Sequence, residues 1–178
     1  MLKLIPLLIL FASLSLFSAD QKVNLLKLAG FEKKASQNLE LSGSGTGFAI
    51  SEDGYLLTAS HVTKGCDAVR VIFKGSEPIE AKILIEEHEL DLAVLKVSKD
   101  LSSFLKIKTH SSNLGDDVYT VGYPAPLLLG NSQKFTKGSI SSLTGLLNSS
   151  FHYQTSVPIQ PGNSGGPLVC EETGQVTG

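Results

Sequence analysis

The stretch QPGNSGGPLV, residues 160–169, surrounds a single serine, Ser164, with three glycines and two prolines. Glycine and proline both weaken the interior of a strand, so such a cluster marks a turn. Two readings compete. A polar turn ahead of an edge strand asks for nothing more. A backbone that must approach a bound group closely, with its N–H groups aimed at that group, also accounts for the glycines and gives the serine a chemical role. The rest of the chain decides between them.

Outward from this turn the chain reads as short strands. GPLVC (166–170) follows the serine, and VYTVGYP (118–124), KFTKGSISSL (134–143) and FHYQTSV (151–157) precede it. Further upstream, TGFAIS (46–51) and YLLTA (55–59) flank EDG, a tight-turn signal. AVRVIF (68–73) alternates with β-branched residues, and IEAKILIEE (79–87) and LDLAVLKV (90–97) follow. No stretch after Leu41 sustains a 3.6-residue period. Short strands divided by Gly, Pro, Ser and Asn predict an all-β sandwich or barrel. Residues 98–117 are polar and serine-rich and read as a linker between two β units. The expected division is therefore a leader over 1–19, an N-terminal region and first β unit over 20–105, and the linker with a second β unit over 106–178. Between Asp20 and Leu41, the apolar residues Val23, Leu26 and Leu28 suit a short helix or a strand equally.

With 178 residues, the chain is long enough for one domain or two small packed halves, and 42% hydrophobic residues supply a core. The net charge is −2 and no basic stripe appears, so nucleic acid is not an expected partner. One early lysine, Lys3, precedes an apolar run from Leu4 to Phe17. That run is short for a membrane span and fits the apolar region of an export leader, so no stable span is expected. Cleavage after Ala19 leaves bulky Phe17 at −3, whereas cleavage after Ser15 places Ser13 there. The expected location is periplasmic or secreted. In an oxidising compartment Cys66 and Cys170 form either one bridge or two separate thiols.

Three residues stand out as chemistry. His61, in TASHV, ends a strand-like run, and Asp91 sits at the mouth of the apolar run Leu92–Val97. There it either caps the turn or is a buried carboxylate in need of a partner, and an imidazole N–H is one such partner. The GNSGG segment matches the G-x-S-x-G elbow of α/β-hydrolases, but that fold needs an acid and a histidine after the serine. Only 14 residues follow Ser164 and none is histidine. The subtilisin order would require Asp20 or Asp53 and an α/β pattern that is absent. What remains is the order His61, Asp91, Ser164. In that arrangement His61 takes the Ser164 proton, Asp91 fixes the imidazole tautomer, and backbone N–H groups of Gly162 and Ser164, with Asn163 between them, stabilise an oxyanion.

GSGTGFAISEDGYLLTASHV, DLAVLKV and PGNSGGPLV together resemble the trypsin-type serine peptidases of the HtrA/Deg group. The resemblance covers residues 43–178, with 30 positions from His61 to Asp91 and 73 from Asp91 to Ser164. It implies two six-stranded chymotrypsin-like β-barrels, with His61 and Asp91 from the first and Ser164 from the second. It further implies hydrolysis of peptide bonds in exported, unfolded polypeptides without metal or organic cofactor, and it is compatible with an oligomer. Activation by a new N-terminus pairing with an aspartate before the serine is not expected, because Asn163 occupies that position. The primary specificity pocket would be walled by Val157, Ile159 and Gln160, which favours a small or medium apolar substrate residue. By the same resemblance, EETGQVTG (171–178) starts a hairpin whose continuation would close the second barrel. The chain as it stands is therefore expected to be an incomplete protease with weak hydrolysis. An inactive relative that binds peptides through the same cleft is the alternative reading.

The remaining features have plainer readings. EEHELD (86–91) lacks H-E-x-x-H spacing and reads as a solvated loop rather than a metal cluster. Asn148-Ser149-Ser150 is a glycosylation sequon in what reads as a polar loop. His88, His110 and His152 belong to no ordered motif with an acid and a serine.

Overall fold

The computed structural model describes residues 42–73, 76–123 and 132–178, together with the backbone of residues 7–13. The two candidate cleavage positions and the ambiguous segment from Asp20 to Leu41 lie outside the described residues.

The first half is a closed six-stranded barrel. Its strands are β1 (Leu7–Ser13), β2 (Ser42–Ala49), β3 (Tyr55–Thr58), β4 (Val69–Phe73), β5 (Ile79–Glu87) and β6 (Leu92–Val97). Neighbours run β1-β2-β3-β6-β5-β4, and β1 closes the ring by pairing with both β2 and β4. The backbone of the leader-like run is thus a barrel strand here. An unbroken apolar stretch suits a strand buried in a sheet as readily as it suits an export signal.

Alternation decides which residues fill this barrel. Val69, Val71 and Phe73 point inward from β4, and Ala93, Leu95 and Val97 are buried along β6. All of these but Ala93 meet Leu56, Ala59, Val62 and Ala81 in one cluster. A register shift between Ile83 and Ile85 bends β5 and leaves Leu84 exposed.

Leu101 still packs into this first cluster, whereas Leu105 joins a second one with Phe48, Val121, Tyr123, Val169 and Val176. That second cluster is a seam, because Phe48 belongs to the first barrel and Val121 and Val169 to the strands beyond it. The second half contains β7 (Asp117–Gly122), β8 (Lys134–Ser142), β9 (Gln154–Thr155) and β10 (Leu168–Cys170). They form a four-stranded antiparallel sheet in the order β10-β7-β8-β9. Val176 bridges to both Val169 and Ile107, which ties the linker to the last described residues. The fold is all-β, with chymotrypsin-like barrels of which the second is incomplete over the described residues. Cys66 is half-buried and Cys170 buried, and no disulfide joins them. Among the described residues no helix is long and apolar enough to cross a membrane.

Candidate active site

Between β3 and β4 the chain makes one helical turn, α1 (Ser60–Thr63). Ser60, Val62 and Thr63 are buried, so the turn presents His61 outward. The free N–H groups that begin any helix need acceptors. Here Asp91 supplies two of them: Ser60 N–H donates to the Asp91 carbonyl at 3.1 Å and His61 N–H to Asp91 Oδ1 at 2.8 Å. Asp91 can do this because the β5–β6 turn leaves it with a left-handed backbone, φ 53°, which aspartate tolerates better than most residues. Its second carboxylate oxygen, Oδ2, lies 2.6 Å from His61 Nδ1.

Burial pushes the Asp91 carboxyl pKa up, but bonds from the His61 N–H, the His61 ring and the Ser60 hydroxyl, with the His61 charge, outweigh it. The net shift is downward, so the carboxylate stays ionised below the usual carboxylate range. For a lowered carboxylate, the contribution to stability is present above the unfolded-state pKa, about 3.9. It is lost as pH falls through the lower folded-state value.

The serine turn is built by different means. Asn163 N–H donates to the Gln160 carbonyl and Gly166 N–H to the Asn163 carbonyl, closing two consecutive bends. Gly162 has φ +99°, a conformation that side-chain-bearing residues rarely adopt. Neither Gly162 N–H nor Ser164 N–H has an acceptor among the described residues. Thr46 of β2, fully buried, clamps this turn from the other barrel. Its N–H donates to the Ser164 carbonyl at 2.7 Å and its hydroxyl to the Gly162 carbonyl at 2.6 Å. Thr46 in turn accepts from the Tyr123 N–H and the Thr58 hydroxyl.

Contact with the histidine side of the site is close. A Cβ on Gly165 would collide with Thr58 Oγ1 and stand 2.6 Å from Ala59 N, two residues before His61. A Cβ on Gly45 would stand 2.8 Å from Val62 and 2.9 Å from the Ser164 carbonyl. Gly165→Ala therefore combines a strained φ of +80° with overpacking. It is expected to lower stability by about 2–5 kcal/mol, read as the urea unfolding free energy. An unchanged midpoint would show that the turn moves away freely.

The structure thus joins His61 to Asp91 and seats the Ser164 turn against the strand that leads to His61. No hydrogen bond links the Ser164 hydroxyl to the His61 ring. Asn163 is buried and its Oδ1 has no partner; Gly122 lies so near it that a Cβ there would strike that oxygen. Val157 packs inward against Val118 and Ile140, whereas Ile159 and Gln160 are exposed. An apolar hollow lined by Phe48, Leu57, Asp91, Leu92, Ile107 and Val176 lies behind Asp91 and does not reach His61 or Ser164. No group of three His, Cys, Asp or Glu side chains able to hold a metal occurs among the described residues. Sequence reading passed over Thr46, Ser60 and Gly122, whose roles depend on partners far along the chain.

The profile of the trypsin-like peptidase domain matches residues 45–178. A probable periplasmic serine endoprotease, DegP-like, from Pseudomonas savastanoi pv. phaseolicola is 36% identical over 149 residues, covering 82% of this chain and 30% of that protein. Mouse serine protease HTRA4 is 35% identical over 147 residues, covering 78% of this chain and 30% of that protein. The crystal structure of the serine endoprotease from Yersinia pestis superposes with a TM-score of 0.69 at 27% identity, covering 97% of this chain and 52% of that one. The chain belongs to the trypsin-like peptidase family, and its relatives are of the HtrA type. It spans less than a third of the curated relatives it matches.

Proposed function

We propose that this chain forms the peptidase region of an exported serine endopeptidase that cleaves unfolded polypeptides through His61, Asp91 and Ser164. The observation that carries the reading is the 2.6 Å contact between His61 Nδ1 and Asp91 Oδ2, with the Ser164 turn packed two residues away at Ala59. Asp91 holds the proton of His61 on Nδ1, which leaves Nε2 as the base. His61 Nε2 accepts the Ser164 proton as Oγ attacks the substrate carbonyl. Negative charge then builds on the carbonyl oxygen, where the Gly162 and Ser164 N–H groups are free to donate. His61 returns the proton to the departing amine, leaving an acyl-Ser164 ester. Water, deprotonated by the same imidazole, attacks that ester; the acyl–Oγ bond breaks, His61 returns the proton to Ser164 Oγ, and the acid is freed. The open distance from Ser164 to His61 closes when substrate binds, because such bonds are often long in unliganded enzymes.

Ile159, exposed just ahead of the turn, offers an apolar contact to the substrate residue before the scissile bond, and Val157 supports that segment from beneath. A small or medium apolar residue is the preferred fit. Export to the periplasm or beyond is supported by relatives named as periplasmic. A fluorophosphonate probe tests the reading directly. Covalent labelling of Ser164, located by peptide mass, is the expected result. A folded protein that takes up no label would instead make this a binding relative with an inert cleft.

A further inference from the structure

The hydrogen bonds around Asp91 do not end at His61. Ser60, immediately before the histidine, is only 2% exposed, and its hydroxyl donates to Asp91 Oδ1 at 3.0 Å. Beyond it, Nδ1 of His88 lies 3.3 Å from the same hydroxyl. Two imidazoles therefore stand at opposite ends of one chain, His61–Asp91–Ser60–His88, with the carboxylate and a single buried hydroxyl between them.

A hydroxyl has one proton to give. When His88 is protonated, both of its ring nitrogens are donors, so Ser60 accepts from His88 and must direct its own proton to Asp91. When His88 is neutral with its proton on Nε2, its Nδ1 competes with Asp91 for that proton. The protonated state also brings a positive charge to the far side of Asp91, where it opposes a second positive charge on His61.

We propose that His88 is a positioning residue that, when protonated, acts through Ser60 on the Asp91–His61 pair, holding the Ser60 hydroxyl on Asp91 and opposing a second positive charge on His61. Other ionisable groups sit on the elements that meet there. Glu86, Glu87 and Glu89 belong to the same strand and turn as His88, and Lys64 follows His61 at the end of α1. Glu86 is engaged by the Thr63 hydroxyl and Glu87 by the Glu89 N–H. Ser60 provides a short relay from His88 to the carboxylate.

This inference rests on the catalytic reading for its use, and its test does not depend on turnover. The His61 ring proton between the two nitrogens is followed by NMR as a function of pH, assigned by its absence in His61→Gln. In His88→Gln, the His61 titration should move up by about 0.3–0.5 pH unit, as expected for removing a nearby surface charge. Ser60→Ala should move it in the same direction, and adding His88→Gln to Ser60→Ala should produce less than half of the shift seen alone. The acid limb of kcat/KM should follow. An unmoved His61 titration in His88→Gln overturns the proposal, as does a shift that persists in full without Ser60. A protein inactive at every pH that still shows the NMR shifts would fail the catalytic reading and leave this coupling standing.

Discussion

Ser164→Ala should lower peptide hydrolysis by roughly 10⁶-fold and abolish fluorophosphonate labelling. The hydroxyl makes no hydrogen bond among the described residues, and the turn around it is held by backbone groups and by Thr46. Removing one oxygen therefore takes away the nucleophile while leaving the clamp. The urea midpoint should correspond to a stability change within about 0.5 kcal/mol, as for substitutions that break no internal contact. Substantial casein cleavage by Ser164→Ala would place the nucleophile elsewhere and remove the basis for the mechanism.

Asp91→Asn should lower turnover by about 10⁴-fold near neutral pH, the size this change has in a serine–histidine–aspartate triad. Asparagine tolerates a left-handed backbone as aspartate does, so the turn at φ 53° should persist. Its Oδ1 can still accept from His61 N–H and the Ser60 hydroxyl, which preserves the start of α1. The change falls on the other atom. An amide NH₂ facing His61 Nδ1 donates where the carboxylate accepted, which moves the ring proton to Nε2 and leaves no base toward Ser164. Circular dichroism should match the parent while hydrolysis collapses. A loss of only a few-fold would transfer the acid's role, with Asp116 and Asp117 the next residues to test.

The parts of this molecule legible from sequence are those fixed by local pattern or by chemistry that admits few side chains. Val69, Val71 and Phe73 alternate along β4, so their inward face could be written down in advance. His61, Asp91 and Ser164 stand out in the sequence because their order along the chain excludes the other known arrangements. The helical turn Ser60–Thr63 was not legible. Four residues carry no periodicity, and the turn is stabilised by Asp91, which lies 30 positions from His61. Thr46 reads as an ordinary strand threonine until its bonds to Gly162 and Ser164 are seen across more than a hundred residues. His88 lies in a stretch that reads as a solvated loop, and only the fold brings it to Ser60. Leu7–Ser13 shows the opposite difficulty, since an apolar run states that it avoids water and not which shelter it takes.

The Thr46 clamp makes the reactive serine turn a shared possession of both halves. Its geometry is written by the second half and held by a residue of the first, through bonds that exist only once the two have docked. A chain with either half unfolded carries His61, Asp91 and Ser164 but lacks the clamped turn that seats the serine. On the proposed mechanism, cleavage then waits for the association of the two halves, and unfolding of either one switches it off.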